Sequence, residues 1–216
     1  MKIEGVIFDL DGTLLHTIDD LGDAANALFE RYGFPARTTQ EFLGWIGNGA
    51  VRFIQEAIGN DVSPAKLQGY VEEFKAIYGE NLHNRSRIYE GVPGMLDELV
   101  RTGVKIAILS NKPHNLTVKV ADHYLSEWPF MHVFGQRDAV PKKPDPAAAL
   151  EIAGLMGIEP GKFLFVGDSM NDLKTAIAAG MVPVGVSWGY GLNGGSGEQH
   201  QARIIDAPAE ILDLIV

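Results

Sequence analysis

Four short apolar runs, GVIFDLD around residue 8, KIAILSN around 108, FLFVGDS around 165 and PVGVSW around 185, share one shape: a few strongly apolar positions that end in polar or small residues. Runs that do not alternate have no wet side, which suits parallel strands covered by helices on both faces. A parallel crossover needs about a dozen residues, yet the stretch between the first two runs is far longer and carries helical periodicity. Thr17 and Asp20 have the spacing of a capping box ahead of an apolar stripe at Ile18, Leu21, Ala25, Leu28, Phe29 and Tyr32, closed by Gly33. Thr38 and Glu41 repeat the device before a short helix, and Val51, Ile54 and Ile58 mark a third that ends at Gly59. Ser63-Pro64 opens a fourth, with Leu67, Tyr70, Val71, Phe74, Ile77 and Tyr78 along one side.

Residues 15–85 therefore read as an all-helical cap domain inserted into an α/β core built from residues 1–14 and 86–216. Within that core the pattern predicts a helix from Pro93 to Thr102, a strand to Leu109, a helix from Leu116 to Tyr124 and a short strand from Met131 to Phe134. Pro146 is placed at the first position of a further helix, and Gly180 stops the one that follows Asp172. The fold class is α/β: a Rossmann-like parallel sheet with an inserted helical cap. GYGLNGGSGEQ reads as a surface loop, and although GYGLNG matches a dinucleotide fingerprint, no helix start follows it to receive a pyrophosphate.

Composition narrows the partners. A net charge of −10 over 216 residues disfavours nucleic acid and anionic membrane surfaces. It does not exclude a small anion, because a local cation or metal can reverse the potential inside one pocket. The absence of cysteine removes disulfides, thiolate metal sites and cysteine nucleophiles. The N-terminal MKIEGVIFDL is too short and interrupted for a signal peptide, and no run reaches membrane-spanning length, so a cytoplasmic location is expected. Oligomeric state, monomer or homodimer, is left open.

In open parallel sheets ligands bind beyond the carboxyl ends of the strands, so Asp9, Ser110 and Asp168 should converge on one rim. Asp9 and Asp11 stand just before the break of the first strand at Gly12, so the two carboxylates need not be parallel. Two crowded carboxylates raise each other's pKa unless a cation lies between them, and the oxygen-only donors nearby suit Mg²⁺. A helix cap or Asx-turn is the competing reading of the same pair.

FDLDGTLL on the first strand, Ser110 after the second, Lys143 in KKPDPAAAL and VGDSMND with Asp168 and Asp172 together resemble, in order and spacing, the four motifs of the haloacid dehalogenase-like phosphatases, across essentially the whole chain. The resemblance implies that Asp9 is a nucleophile forming an aspartyl-phosphate, while Asp11 protonates the leaving alcohol and then deprotonates water. It further implies that Ser110 donates to phosphoryl oxygens and Lys143 neutralises the transferring group. Asp9, Asp168 and the main chain of Asp11 would hold Mg²⁺, with Asp172 orienting Lys143 or a metal-bound water. A plain helix cap is the alternative reading of Asp168 and Asp172. Thr13 and Asn111, beside the motif residues, are candidate substrate contacts. Lys142 reads as a solvated surface lysine.

Aspartate at position 11 looks like a phosphatase or mutase rather than a dehalogenase or transport ATPase. The loop GWIGNGAV and the later MVPVGVSWGYG resemble the phosphoglycolate phosphatase-like subfamily, with the cap acting as a lid over a small phosphorylated metabolite, 2-phosphoglycolate being the first guess. Gly44, Gly47 and Gly49 serve a helix-to-helix turn on the alternative reading. Asn48 and Arg52 are candidates for a substrate carboxylate, weighed against simple exposure. His16 stands where family members often carry an acid, and a lone histidine at a helix start is usually structural. A phosphosugar mutase and a phospho-aspartate signalling protein are the other readings, although an acid at position 11 should hasten hydrolysis and so opposes a long-lived switch.

Overall fold

The computed structural model describes residues 2–192 and 202–215. Strand β1 (Gly5–Phe8) is followed by a short strand β2 (Leu15–His16), which pairs antiparallel with β3 (Arg87–Ile88). The main sheet adds β4 (Lys105–Pro113), β5 (His132–Gln136), β6 (Phe163–Gly167), β7 (Val182–Val186) and β8 (Arg203–Ile205) to β1. All six strands run parallel, in the order β5-β4-β1-β6-β7-β8. The class is α/β, as the unalternating runs required.

β1 shows why those runs are apolar throughout. Val6 and Phe8 join one core with Ile106, Ile108, Leu164 and Val166, whereas Ile7 joins a second with Ala107, Leu109 and Phe165. Helices α5 (Val92–Thr102) and α6 (His114–Leu125) cover the first face through Leu96, Leu99 and Val120. Helices α7 (Ala147–Met156) and α8 (Met170–Ala178) cover the second through Ala149, Ile152 and Ala176. With both faces covered, every side chain of the strand is buried.

Between β2 and β3 lie four helices, α1 (Ile18–Tyr32), α2 (Thr39–Leu43), α3 (Ala50–Ile58) and α4 (Pro64–Asn81). They pack on a row of rings, with centroids 6.5 Å apart for Phe29–Phe42, 5.4 Å for Phe42–Phe53 and 5.6 Å for Phe53–Phe74. Thr38 and Glu41 form the expected capping box, and Gly59 closes α3. Ser63 and Pro64 start α4.

The capping box expected at Thr17 and Asp20 does not form. The Thr17 hydroxyl donates to Asp11 Oδ1 at 2.7 Å, and the Tyr190 hydroxyl accepts from the main-chain N–H groups of Thr17 and Ile18 at 2.8 and 3.3 Å. A phenol from the far end of the chain thus satisfies orphan donors at the start of α1. Asp20, fully buried, accepts instead from the main-chain N–H groups of Arg85 and Ser86 and from the Ser86 hydroxyl at 2.9, 2.8 and 2.7 Å. The carboxylate ties the returning chain to the departing one.

Smaller differences have local causes. β4 runs on past Leu109 to Pro113 after an irregularity in its ladder with β5. Pro146 caps α7 rather than occupying its first position, and β5 starts at His132, not Met131. β2, β3 and β8 are too short to carry a readable period. Of GYGLNGGSGEQ, the expected surface loop, Asn193 to Gln199 lie outside the described residues. No described helix is long and apolar enough to cross a membrane.

Removing the Asp20 carboxylate leaves three donors, two of them on buried Ser86, without their acceptor. Asp20→Ala is expected to cost about 2–4 kcal/mol in chemical denaturation, against about 1 kcal/mol for Thr38→Ala, which loses only a cap. Equal losses would mean that Asp20 is no more than a cap.

Candidate active site

Register brings the polar strand ends together. Phe8 lies opposite Ile108 of β4 and Val166 of β6, so Asp9, Ser110 and Asp168, one or two residues further on, emerge along the same edge. Asp9 follows β1 with its N–H donating to the Val166 carbonyl at 2.9 Å. Its Oδ1 accepts from the Leu10 N–H at 2.7 Å and lies 2.9 Å from Lys143 Nζ. Neither contact engages Oδ2.

Lys143 is 3 % exposed, and its ammonium donates to three groups: Asp172 Oδ1 at 2.6 Å, Asp9 Oδ1 at 2.9 Å and the Leu109 carbonyl at 3.0 Å. Burial works to discharge it, but Asp172 and Asp9 outweigh that effect and raise its pKa above the ordinary lysine value. Asp172 Oδ2 meanwhile accepts from the N–H and hydroxyl of Ser169 at 3.0 and 2.6 Å. Asp172 is therefore both the cap of α8 and the anchor of Lys143; the two readings of this residue are one arrangement.

Asp168 Oδ2 accepts from the Tyr190 N–H at 2.7 Å, and its Oδ1 from the Thr13 hydroxyl at 3.3 Å. Gly12, with φ at +88°, lets the chain turn over this carboxylate, where any Cβ would collide with it. Burial, followed by the charges of Asp172 and Asp9, pushes the Asp168 carboxyl up to about 8. Burial pushes Asp9 up to about 6, with Lys143 opposing. Asp9, Asp168 and Asp172 each place a carboxylate oxygen within 4.8 Å of the others. Three buried acids this close, two of them paired with one lysine, fit a divalent cation with hard oxygen ligands.

A cavity opens from Asp9 towards the inserted helices, with Asp11, Ser110, Phe53, Phe74 and Tyr78 on its wall and free space of about 50 Å³. Gly47 and Gly49 line it too, at φ of +90° and +86°, and a Cβ on Gly49 would crowd the Gln136 side chain. Gly44 is ordinary helical backbone. The loop is therefore both a turn between helices and a wall of the cavity.

The other sequence candidates are distributed as follows. Thr13 is 1 % exposed, lies outside the cavity wall and serves Asp168. Asn111 lines the cavity, but its side chain clamps backbone: Nδ2 donates to the carbonyls of Gly47 and Lys143, both at 3.0 Å, and Oδ1 accepts from the Lys143 N–H at 2.9 Å. Asn48 Oδ1 accepts from Asn171 at 3.2 Å, and Arg52 is an exposed partner of Glu56. Lys142 is exposed yet not simply solvated, since it donates to the Asn48 carbonyl at 2.6 Å. His16 packs edge-on between Tyr89 and Tyr190, and burial lowers its pKa.

Lys112 was not among the candidates. Its side chain is 3 % exposed, and Nζ lies 3.0 and 3.1 Å from the two oxygens of Asp11 and 2.7 Å from the Tyr78 hydroxyl. The signal was present in SNK: along a strand, residues two apart face the same way, so Ser110 and Lys112 share a side once β4 continues past Leu109.

Residues 3–180 match the family model of the haloacid dehalogenase-like hydrolases. The chain is 34% identical over 215 residues to a phosphoglycolate phosphatase of Haemophilus influenzae, covering 96% of both proteins. It is 32% identical over 212 residues to phosphoglycolate phosphatase 1 of Pseudomonas aeruginosa, covering 96% of this chain and 78% of that one. The crystal structure of a predicted phosphoglycolate phosphatase from Haemophilus somnus superposes with a TM-score of 0.92 at 30% identity, covering 100% of this chain and 99% of the other.

The raised carboxyls give a signed pH dependence. Above the unfolded value near 3.8, folded Asp9 and Asp168 hold protons that the unfolded chain has released. The metal-free protein therefore loses their share of stability as pH rises through about 6 and about 8. A bound divalent cation reverses that loss. At about 100 times its dissociation constant it should add about 2.7 kcal/mol, or roughly 5–10 °C of melting temperature, at pH 8. A clearly smaller rise is expected at pH 5.5, read by thermal denaturation; equal shifts at the two pH values would exclude these carboxyls as the binding groups.

Proposed function

The chain belongs to the haloacid dehalogenase-like hydrolase family and is a phosphoric monoester hydrolase; on that premise we propose that it is a Mg²⁺-dependent phosphatase acting through an aspartyl-phosphate on Asp9, with 2-phosphoglycolate the leading substrate. The observation that carries this reading is the Asp9 carboxylate itself. One oxygen is fixed by Leu10 and Lys143, while the other is left unengaged by both, and the residue lines a small cavity.

In this reading residues 15–85 act as a cap over the core formed by 1–14 and 86–216. Asp9 Oδ2 attacks phosphorus, the new O–P bond forming as the ester P–O bond breaks. Asp11, on the cavity wall, gives its proton to the departing alkoxide oxygen and takes one back from the water that next attacks phosphorus. Ser110, on the same wall, donates to a phosphoryl oxygen, and Lys143 stabilises charge on both nucleophile and phosphoryl group. Asp172 acts through Lys143, which it holds in place. Asp9 and Asp168, with the main chain of Asp11, would hold the ion. Bound there, Mg²⁺ supplies positive charge to the carboxylates and to the developing phosphoryl charge.

The substrate assignment is supported by the relatives, which carry the name phosphoglycolate phosphatase, and by the size of the cavity. Free space of about 50 Å³ holds about four water-sized groups, which favours a small ester over a large one. A panel of metabolite phosphates incubated with Mg²⁺ should release phosphate, fastest from 2-phosphoglycolate. Asp9→Asn, isosteric and folded by circular dichroism, should lose at least about 10⁴-fold in kcat. Retained turnover in that variant would remove Asp9 from the chemistry.

A further inference from the structure

Asp11 stands beyond the end of β1 at Phe8, outside the ladder of the main sheet, so its carboxylate takes its place from other side chains. Two series of contacts reach it from distant parts of the sequence. In the first, the Thr17 hydroxyl donates to Asp11 Oδ1 at 2.7 Å, and the Tyr190 hydroxyl fixes Thr17 by accepting from its N–H at 2.8 Å. In the second, Lys112 Nζ donates to Asp11 Oδ1 and Oδ2 at 3.0 and 3.1 Å and to the Tyr78 hydroxyl at 2.7 Å. Each series ends on a phenol.

Both phenols are themselves held. The Tyr190 N–H donates to Asp168 Oδ2 at 2.7 Å, so this residue serves a carboxylate of the cation site as well as the segment that places Asp11. Its ring lies against the turn at Gly12, where a Cβ would come within 2.8 Å of it. Tyr78 is buried and stacks on Phe74 with centroids 6.0 Å apart, while its face lies 4.4 Å from Lys112 Nζ and steadies the charge. A general acid must keep its proton within hydrogen-bond reach of the leaving oxygen as the ester bond breaks, so a tilted carboxyl loses rate even when it is present.

We propose that Tyr190 and Tyr78 are positioning residues for Asp11: acting through Thr17 and Lys112, they set the angle of the carboxyl that protonates the leaving oxygen. The inference rests on the phosphatase reading of the site and adds to it how the acid is aimed. Tyr190 belongs to the segment after β7 and Tyr78 to α4, so the sheet side and the inserted helices set the acid jointly. Neither phenol carries charge to the site, and the contribution of each is geometric.

Steady-state kinetics on 2-phosphoglycolate and on acetyl phosphate test this, because the first releases an alkoxide that needs a proton and the second an acetate that is stable without one. The hydrolysis of phospho-Asp9 is common to both and does not enter kcat/KM. Tyr190→Phe and Tyr78→Phe should each lower kcat/KM on phosphoglycolate relative to acetyl phosphate by about 10-fold, a part of what a general acid contributes. Thr17→Val should repeat the effect, and Thr17→Ser, which keeps the hydroxyl, should hold the ratio within about threefold of wild type. This Thr17 pair decides the matter if neither phenylalanine variant folds. An unchanged ratio in either folded phenylalanine variant, whether both esters fall together or neither falls, overturns the positioning role. A ratio that moves only because KM for phosphoglycolate rises would set the phenol against the substrate and overturn it too. A wild type that hydrolyses acetyl phosphate alone has no working acid at position 11, which overturns the inference while covalent transfer to Asp9 stands. Release of phosphate from neither ester overturns both.

Discussion

Four carboxylates, those of Asp9, Asp11, Asp168 and Asp172, share one edge of a sheet, and that density of negative charge needs fixed cations to hold it. Lys143 is the one the chain builds into the centre. All three of its donors are taken, by Asp9, Asp172 and the Leu109 carbonyl, so the ammonium cannot swing away. Asp172 in turn is fixed by Ser169 at the start of α8, and the Lys143 N–H is fixed by Asn111 near the end of β4. The position of the Asp9 oxygens thus depends on three strand ends at once. This preorganisation is what a phosphoryl-transfer site requires, because little beyond positioning and electrostatics is asked of the protein.

The inserted helices add a second layer of constraint around the same edge. Asn111 and Asn171 both donate to the Gly47 carbonyl, and Lys142 donates to that of Asn48, so the cap loop is held by side chains from three core segments. Asp20 clamps the returning chain at Arg85 and Ser86. The enclosed space is small and mostly apolar, and in such surroundings each charged contact to a ligand is stronger than in water. On the proposed division into cap and core, residues of both line the cavity.

The convergence of Asp9, Ser110 and Asp168 was legible because it follows from two facts visible in the sequence: unalternating strands are parallel and covered, and ligands collect beyond their carboxyl ends. The helices were legible from their apolar stripes and from stops such as Gly59. What escaped depended on partners distant in sequence. Thr17 and Asp20 have capping-box spacing, but Asp11, Tyr190 and Ser86 compete for them across the fold. Lys112 follows what looks like the end of a strand, where a lysine ordinarily faces solvent; only the continuation of β4 to Pro113 turns it inward. Thr13 and Asn111 carry chemistry suited to a ligand, yet their short side chains hold Asp168 and main-chain groups. Such assignments belong to tertiary contacts, not to local pattern.

The central claim is that Asp9 becomes covalently phosphorylated. Rapid quenching of enzyme mixed with 2-phosphoglycolate and Mg²⁺, reduction with borohydride and mass spectrometry of the digested peptides tests it directly, because an acyl phosphate is reduced to an alcohol and leaves homoserine where the aspartate stood. Homoserine at position 9, absent without substrate, is the predicted result. Modification at Asp11 or Asp168 with position 9 intact would contradict the account.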